Sequence, residues 1–212
     1  MATEAAALRD LIEARLGGTS PGGDPMAAYL RGAPPEAREQ LRRFLPATLA
    51  RAAVLMPLVD RPEGLTVLLT VRASHLKHHA GQISFPGGRI EPQDPGPWEA
   101  ALRETEEEIG LSREFVSLVG YLDDHVVISG FRVTPVVAFV RAGFDLRLDR
   151  TEVESVFEVP LEFVLDPKHH LPQDRHFQGL TLVTYDIPYQ GRQIWGATAN
   201  MLISLHRRLR ET

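Results

Sequence analysis

Glu104, Glu107 and Glu108 are spaced so that an α-helix, turning about 100° per residue, gathers their carboxylates on one side. Trp98, Leu102, Thr105 and Ile109 fall on the opposite side, with Ala100 among the glutamates, Arg103 at the edge and Glu106 pointing away. Pro97 suits the first helical position and Gly110 the position just past the last, so the spacing predicts a helix over 97–109. The three carboxylates then stand in its C-terminal half, where the macrodipole disfavours negative charge. They also repel one another at i,i+3 and i,i+4 spacing. One Arg103 cannot neutralise three. A hard divalent cation, Mg²⁺ or Mn²⁺, can, and oxygen ligands are what it prefers. A glutamate run by itself is more often a solvated helix face, so the surroundings decide.

The surroundings are unusual. From Leu65 to Ile90 there is no Asp or Glu, while Arg72, Lys77, Arg89, His75, His78 and His79 are all present. This stretch ends in Ser84-Phe85-Pro86-Gly87-Gly88, and residues 91–114 then carry eight acids. A basic strip passing through a Gly-Gly turn into a metal-collecting helix suits a phosphorylated substrate bridged by metal. His78 and His79 are either phosphate contacts or a polar loop pair. His169, His170 and His176 have no tight ligand spacing and read as loop residues. Trp195 reads as a core or sheet residue rather than an adenine stacker. Glu91 and Asp94 either support the ligands or form an acidic lead-in to the helix.

Several elements must position these groups. Ala52–Val59 and Leu65–Val71, rich in aliphatic and β-branched residues, predict a strand pair. Further strands are expected at Val116–Leu122, Arg132–Val140, Glu152–Val159 and Leu182–Ile187, and a closing helix at Ala197–Leu209 with Arg207, Arg208 and Arg210 in its last turn. Residues 1–50 read as a helical N-terminal extension that packs on the main domain at 51–212. Its helices are Ala5–Leu16 and a second from Pro35 to about Leu45, separated by the Gly17–Gly23 breaker run. Strands grouped around a few helices give an α+β fold.

The chain has 212 residues, 43% hydrophobic and 24% charged, enough for a substantial core without staples. It has no cysteine, which excludes disulfides, thiolate zinc sites and a cysteine nucleophile. The net charge of −5 argues against a broad nucleic-acid surface. No apolar run approaches the ~20 residues that span a bilayer. Glu4, Arg9 and Asp10 do not suit a secretory signal. The expectation is a cytoplasmic protein with a small-molecule substrate and neither a nucleic-acid nor a membrane partner.

Gly88, Asp94 and Arg103-Glu104-Thr105-Glu106-Glu107-Glu108-Ile109-Gly110-Leu111 together resemble the Nudix box, G-x5-E-x7-R-E-U-x-E-E-x-G-U with U aliphatic. The segment from Arg103 to Leu111 fits at every position but Thr105, which stands at an aliphatic site. Asp94 replaces a glutamate, and one extra residue separates it from Arg103. Upstream, Leu68-Leu69-Thr70-Val71-Arg72, Leu76-Lys77, Gly81 and Phe85-Pro86-Gly87-Gly88 resemble the motif that precedes the box in coenzyme A pyrophosphatases. Lys77 replaces the usual arginine, and its spacing to Gly81 differs by one.

The resemblance implies a Nudix-type α/β/α sandwich with a mixed sheet, and water attack on one phosphorus of a nucleoside diphosphate derivative. For the subfamily it implies cleavage of coenzyme A to 3′,5′-ADP and 4′-phosphopantetheine. Glu104, Glu107 and Glu108 match metal-binding glutamates, with Glu104 and Glu107 also placed in catalysis, and Arg103 matches the arginine that orients them. Arg72, Lys77, Gly87 and Gly88 are expected to bind the substrate, the glycines by letting backbone come close. The general base is a box glutamate or a later one, with Glu152 and Glu154 as candidates. ADP-ribose or a dinucleotide is the alternative substrate, and a non-catalytic Nudix-fold binding module the reading from another class. The retained glutamates count against the last.

Overall fold

The computed structural model describes residues 2–26, 30, 35–77, 79–127, 129–177 and 179–211, so His78 lies outside the described residues. Among the described residues, helices α1 (Ala2–Leu16) and α2 (Pro35–Arg43) precede the strands. Then follow β1 (Ala50–Arg61), β2 (Gly64–Arg72), β3 (Ile83–Ser84), β4 (Gly87–Arg89), α3 (Pro97–Ile109), β5 (Val116–Tyr121), β6 (His125–Val127) and β7 (Phe131–Val140). The chain continues with β8 (Val153–Pro160), α4 (Leu161–Leu165), β9 (Leu171–Phe177), β10 (Leu180–Tyr189), β11 (Arg192–Ile194) and α5 (Gly196–Arg210).

β1 is the axis of an eight-stranded mixed sheet with the path β3-β2-β1-β7-β5. It runs parallel to β7 along ten residue pairs, from Ala50↔Phe131 to Val59↔Val140. On its other edge the first half pairs with β4 and the second half with β2, both antiparallel. That split lets the Gly87-Gly88 backbone enter the sheet beside β1. A strand with neighbours on both edges and both faces covered must be apolar throughout, and Ala52–Val59 is.

Alternation along the central strands divides the core in two. Leu55, Val59, Val136, Ala138 and Val140 face α3, while Met56, Leu58, Val137 and Phe139 face α1 and α5. The result is the α+β sandwich expected, helices on both faces of a mixed sheet. α1 belongs to this core: Ile12 and Leu16 are fully buried in it, worth about 1.5–3 kcal/mol each. Thr19 just beyond α1 accepts the Tyr121 N–H at 2.7 Å, and a side chain at Gly120 would collide with the Leu16 carbonyl. Among the described residues, no helix is long and apolar enough to cross a membrane.

The expected strand at Leu182–Ile187 is longer than its apolar pattern, and it sits in a separate three-stranded antiparallel sheet, β11-β10-β9. β9 reads Leu-Pro-Gln-Asp-Arg-His-Phe, without alternation and with a proline that only an edge strand tolerates. The short strands β3, β4, β6 and β11 likewise carry too few residues for a periodic signal.

Candidate active site

α3 begins at Pro97 and stops where Gly110 turns left-handed (φ 68°), its N–H returning to the Glu106 carbonyl. Ala100, Ala101, Leu102, Thr105 and Ile109 are buried against the sheet. Thr105 satisfies its hydroxyl inside the helix by donating to the Ala101 carbonyl at 2.6 Å, which explains how a polar residue occupies an aliphatic site.

The three glutamates form a gradient rather than a uniform acidic face. Glu108 is 5% exposed, Glu104 is half-buried, and the Glu107 side chain is largely in solvent. The cause is long-range, because β4 packs over one side of the C-terminal half of the helix. The Gly87 N–H donates to Glu108 Oε2 at 3.1 Å. The Glu104 carboxyl lies flat on Gly88, where a Cβ would stand 2.5 Å from the carboxyl carbon. Gly87 itself has φ 147° and its Cβ would strike the Ala53 carbonyl and Val54 backbone, so it has no ready substitute.

Burial raises the Glu108 carboxyl to about 8, against the opposing pull of the Gly87 N–H, and the charge of Glu152 adds to the rise. Burial likewise raises Glu104, while Arg103 opposes the shift. Arg103 ties the site together. It donates to Asp94 at 3.1 and 3.0 Å and to the Arg89 carbonyl at 3.1 Å, and its Nη1 stands 3.0 Å from both Glu104 and Glu107. The Arg103 guanidinium holds the Asp94 carboxyl below the usual carboxylate range. Asp94 therefore anchors Arg103 across the loop, despite its altered spacing. Glu106 points away, as the helix period predicts, and pairs with Arg113 at 2.9 Å.

Two further groups arrive from other elements. A register shift between Val71 and Arg72 interrupts the β2–β8 pairing and leaves Arg72 Nη1 4.0 Å from Glu108 Oε1. The Arg72 Nε is buried without a hydrogen-bond partner among the described residues. The turn before β8 closes on the end of α3: Arg147 N–H bonds the Ile109 carbonyl and Asp149 N–H the Glu108 carbonyl, both at 2.9 Å. The Ala73 N–H then bonds the Glu152 carbonyl at 2.8 Å. This brings the charge of Glu152, and not that of Glu154, onto Glu104 and Glu108. Lys77 stands exposed in the β2–β3 loop, apart from this cluster.

The result is a cluster of carboxylate oxygens with Arg72 beside Glu108 and the Glu107 side chain on its exposed side. Among the described residues, no three acidic or histidine side chains converge tightly enough to hold a cation by themselves. Arg103 bridges Glu104 and Glu107, 3.0 Å from each.

A mixed sheet between helices, with an Arg-Glu-x-x-Glu-Glu helix packed on a Gly-Gly strand, defines a Nudix hydrolase, a pyrophosphatase-type enzyme. The NUDIX domain family model matches residues 49–180, and the chain belongs to that family. It is 40% identical over 159 residues to the uncharacterized Nudix hydrolase NudL of Yersinia pestis (strain Pestoides F), covering 75% of this chain and 79% of the relative. The figures are the same for NudL of Yersinia pseudotuberculosis serotype O:1b (strain IP 31758). Among solved structures, a Nudix hydrolase from M. smegmatis, RenU, superposes with a TM-score of 0.50 at 21% identity, over 77% of this chain and 84% of that one. That likeness is one of fold.

Proposed function

We propose that this Nudix hydrolase is a divalent-metal-dependent pyrophosphatase that cleaves coenzyme A and its derivatives to 3′,5′-ADP and 4′-phosphopantetheine. The observation that carries the reading is that the two sequence motifs meet in one place: Arg72, Gly87 and Gly88 of the upstream motif all lie against Glu104 or Glu108 of the box. A motif that only stabilised the sheet has no need to set an arginine 4.0 Å from Glu108 with its Nε buried and without a hydrogen-bond partner among the described residues.

The residues fit a hard cation. Their donors are carboxylate oxygens, and Gly88 leaves beside Glu104 the space that any side chain would fill. Glu104, Glu107 and Glu108 would hold Mg²⁺ or Mn²⁺. When bound, such a cation lowers the pKa of the attacking water and offsets charge on the phosphoryl oxygens. Arg103 acts by orientation, keeping Glu104 and Glu107 in place from its anchor on Asp94. Arg72 binds phosphate, Gly87 and Gly88 let the backbone approach the pyrophosphate, and Lys77, in the loop outside this cluster, is left to contact a more distant part of the substrate. Glu152 takes the proton from water in preference to Glu154, because its charge reaches the box carboxylates.

The test is product identification after incubation with Mg²⁺ or Mn²⁺ and, separately, coenzyme A, ADP-ribose and a diadenosine polyphosphate. The expected products are 3′,5′-ADP and 4′-phosphopantetheine from coenzyme A, at the highest kcat/KM of the three. Preferred cleavage of ADP-ribose or the dinucleotide replaces the substrate assignment, and no cleavage of any supports a binding module.

A further inference from the structure

The β9–β10–β11 sheet turns Tyr185 and Tyr189, with Ile187 between them, toward the main core. The opposite face follows from the register. Gln173 lies opposite Thr184, Arg175 opposite Leu182 and Gln193 opposite Pro188, while Asp186 alternates with Thr184 and Pro188 on the same face. Asp186 is 3% exposed. Its carboxylate accepts from Arg175 Nη2 at 2.8 and 3.1 Å and also from Gln193 Nε2, and Arg175 Nε donates to Thr184 Oγ1 at 3.0 Å.

This network fixes the Arg175 guanidinium 4.5 Å from the centroid of the Trp195 ring. Gln193 and Trp195 are two apart in extended chain, so they project to the same side. Trp195 is not a core residue: it stays 37% exposed although one ring face is covered. Gln173, Asp186, Pro188 and Gln193 line a cleft of about 400 Å³ on this face.

The position of the indole links it to the chemistry. Thr198, in the first turn of α5, donates to the Ile83 carbonyl at 2.9 Å. Ile83 lies four residues, at most about 14 Å of chain, before Gly87 on Glu108. Trp195 precedes Thr198 by three residues, so the chain that carries the indole and the box helix are tied to the two ends of the 83–87 segment.

We propose that Trp195, backed by Arg175, is the platform on which the nucleobase of the substrate stacks, and so determines specificity for the nucleotide half. A large aromatic left open to water, beside an arginine that a buried carboxylate holds in place, offers a flat π surface to a base. The overlying cation draws electron density from the indole, which favours an electron-rich purine on the other face. A glutamine amide in the neighbouring cleft carries the donor–acceptor pair that matches the edge of adenine. The inference rests on the pyrophosphatase reading only in taking the substrate to carry a base, and it holds whichever nucleoside diphosphate derivative is cleaved.

The chain has two tryptophans, Trp98 and Trp195, so Trp98→Phe leaves Trp195 as the only indole. Its fluorescence is titrated, without divalent metal, with AMP, ribose 5-phosphate and 4′-phosphopantetheine. AMP is expected to quench saturably and the other two to leave the signal unchanged. In the wild-type background, Trp195→Ala is expected to raise KM by roughly five- to a hundredfold with kcat within twofold, and Trp195→Phe to restore most of it. Equal quenching by ribose 5-phosphate, quenching by phosphopantetheine alone, or an unchanged KM in Trp195→Ala overturns the proposal. An unchanged KM with a lowered Tm marks the pair as a tether between β9 and α5, which also overturns it. Quenching by AMP with no cleavage of coenzyme A removes the substrate assignment and leaves the platform standing.

Discussion

Replacing Gly88 by alanine disturbs the Glu104 carboxylate and fills the open space beside it. The new methyl would stand 2.5 Å from the carboxyl carbon and 2.7 Å from Oε1, where carbon contacts normally begin near 3.5 Å. The carboxylate must therefore retreat by about 1 Å. It is the far end of a flexible side chain, so the retreat costs an off-rotamer strain of about 0.5–1.5 kcal/mol rather than a broken backbone. For a chain of this size that lowers Tm by roughly 1–6 °C. Displacement of a positioned catalytic group by that distance costs on the order of a hundredfold in rate. Gly87→Ala is the internal control: its methyl meets the Ala53 carbonyl and the Val54 Cα, which are backbone, at φ 147°. It should lose far more stability than Gly88→Ala. The assay is thermal melting beside metal-dependent turnover for both variants. A Gly88→Ala enzyme with wild-type kcat, or one that melts as early as Gly87→Ala, refutes the placement of Glu104 at the reacting centre.

Leu16→Ala, emptying a fully buried site, should cost about 2–5 kcal/mol and lower Tm by roughly 4–20 °C with specific activity of the folded enzyme intact; a change under 2 °C would mean α1 is only appended. Burial pushes the Glu158 carboxyl up, but hydrogen bonds from Arg61 and Thr66 outweigh it and hold the pKa below the usual range. The stability it contributes is present above the unfolded carboxylate pKa of about 4.3 and lost as pH falls through the lower folded value, so the Tm gap between wild type and Glu158→Gln should narrow from pH 7 to pH 3; a constant gap contradicts this. For Arg72→Ala and Lys77→Ala, kcat/KM on coenzyme A and on dephospho-coenzyme A locates the grip: loss of one charge-assisted bond costs roughly ten- to a hundredfold. Loss on coenzyme A alone places the residue at the 3′-phosphate and equal loss at the pyrophosphate, whereas no loss from either variant removes the basic strip from recognition.

Helix α3 is legible in the sequence because Pro97 and Gly110 punctuate it and its apolar period is regular. The central strands β1, β2 and β7 are legible because strands covered on both faces must be continuously apolar. The grading of the three glutamates is not, since angle on a helical wheel says nothing about what packs there: Glu108 is buried by Gly87, twenty-one residues upstream. Arg103 shows the same limit. Helix spacing offers it Glu99 and Glu107, yet its strongest partner is Asp94, nine residues back across a loop. Glu152 and Glu154 are indistinguishable in sequence until the 147–152 turn caps the carbonyls of α3. Trp195 is apolar by type and reads as core, and only the Arg175–Asp186 network shows why it stays at the surface.

On the proposed function the box helix carries a cation that drives hydrolysis of the pyrophosphate, and Glu108 is the most buried of its carboxylates. The direct measurement is kcat for wild type and Glu108→Gln across a Mg²⁺ titration, with circular dichroism to confirm the fold. Removal of a charged ligand that stabilises the transition state is worth several kcal/mol, so kcat should fall at least a hundredfold and stay low at saturating Mg²⁺. A folded Glu108→Gln enzyme that turns over near the wild-type rate contradicts the account.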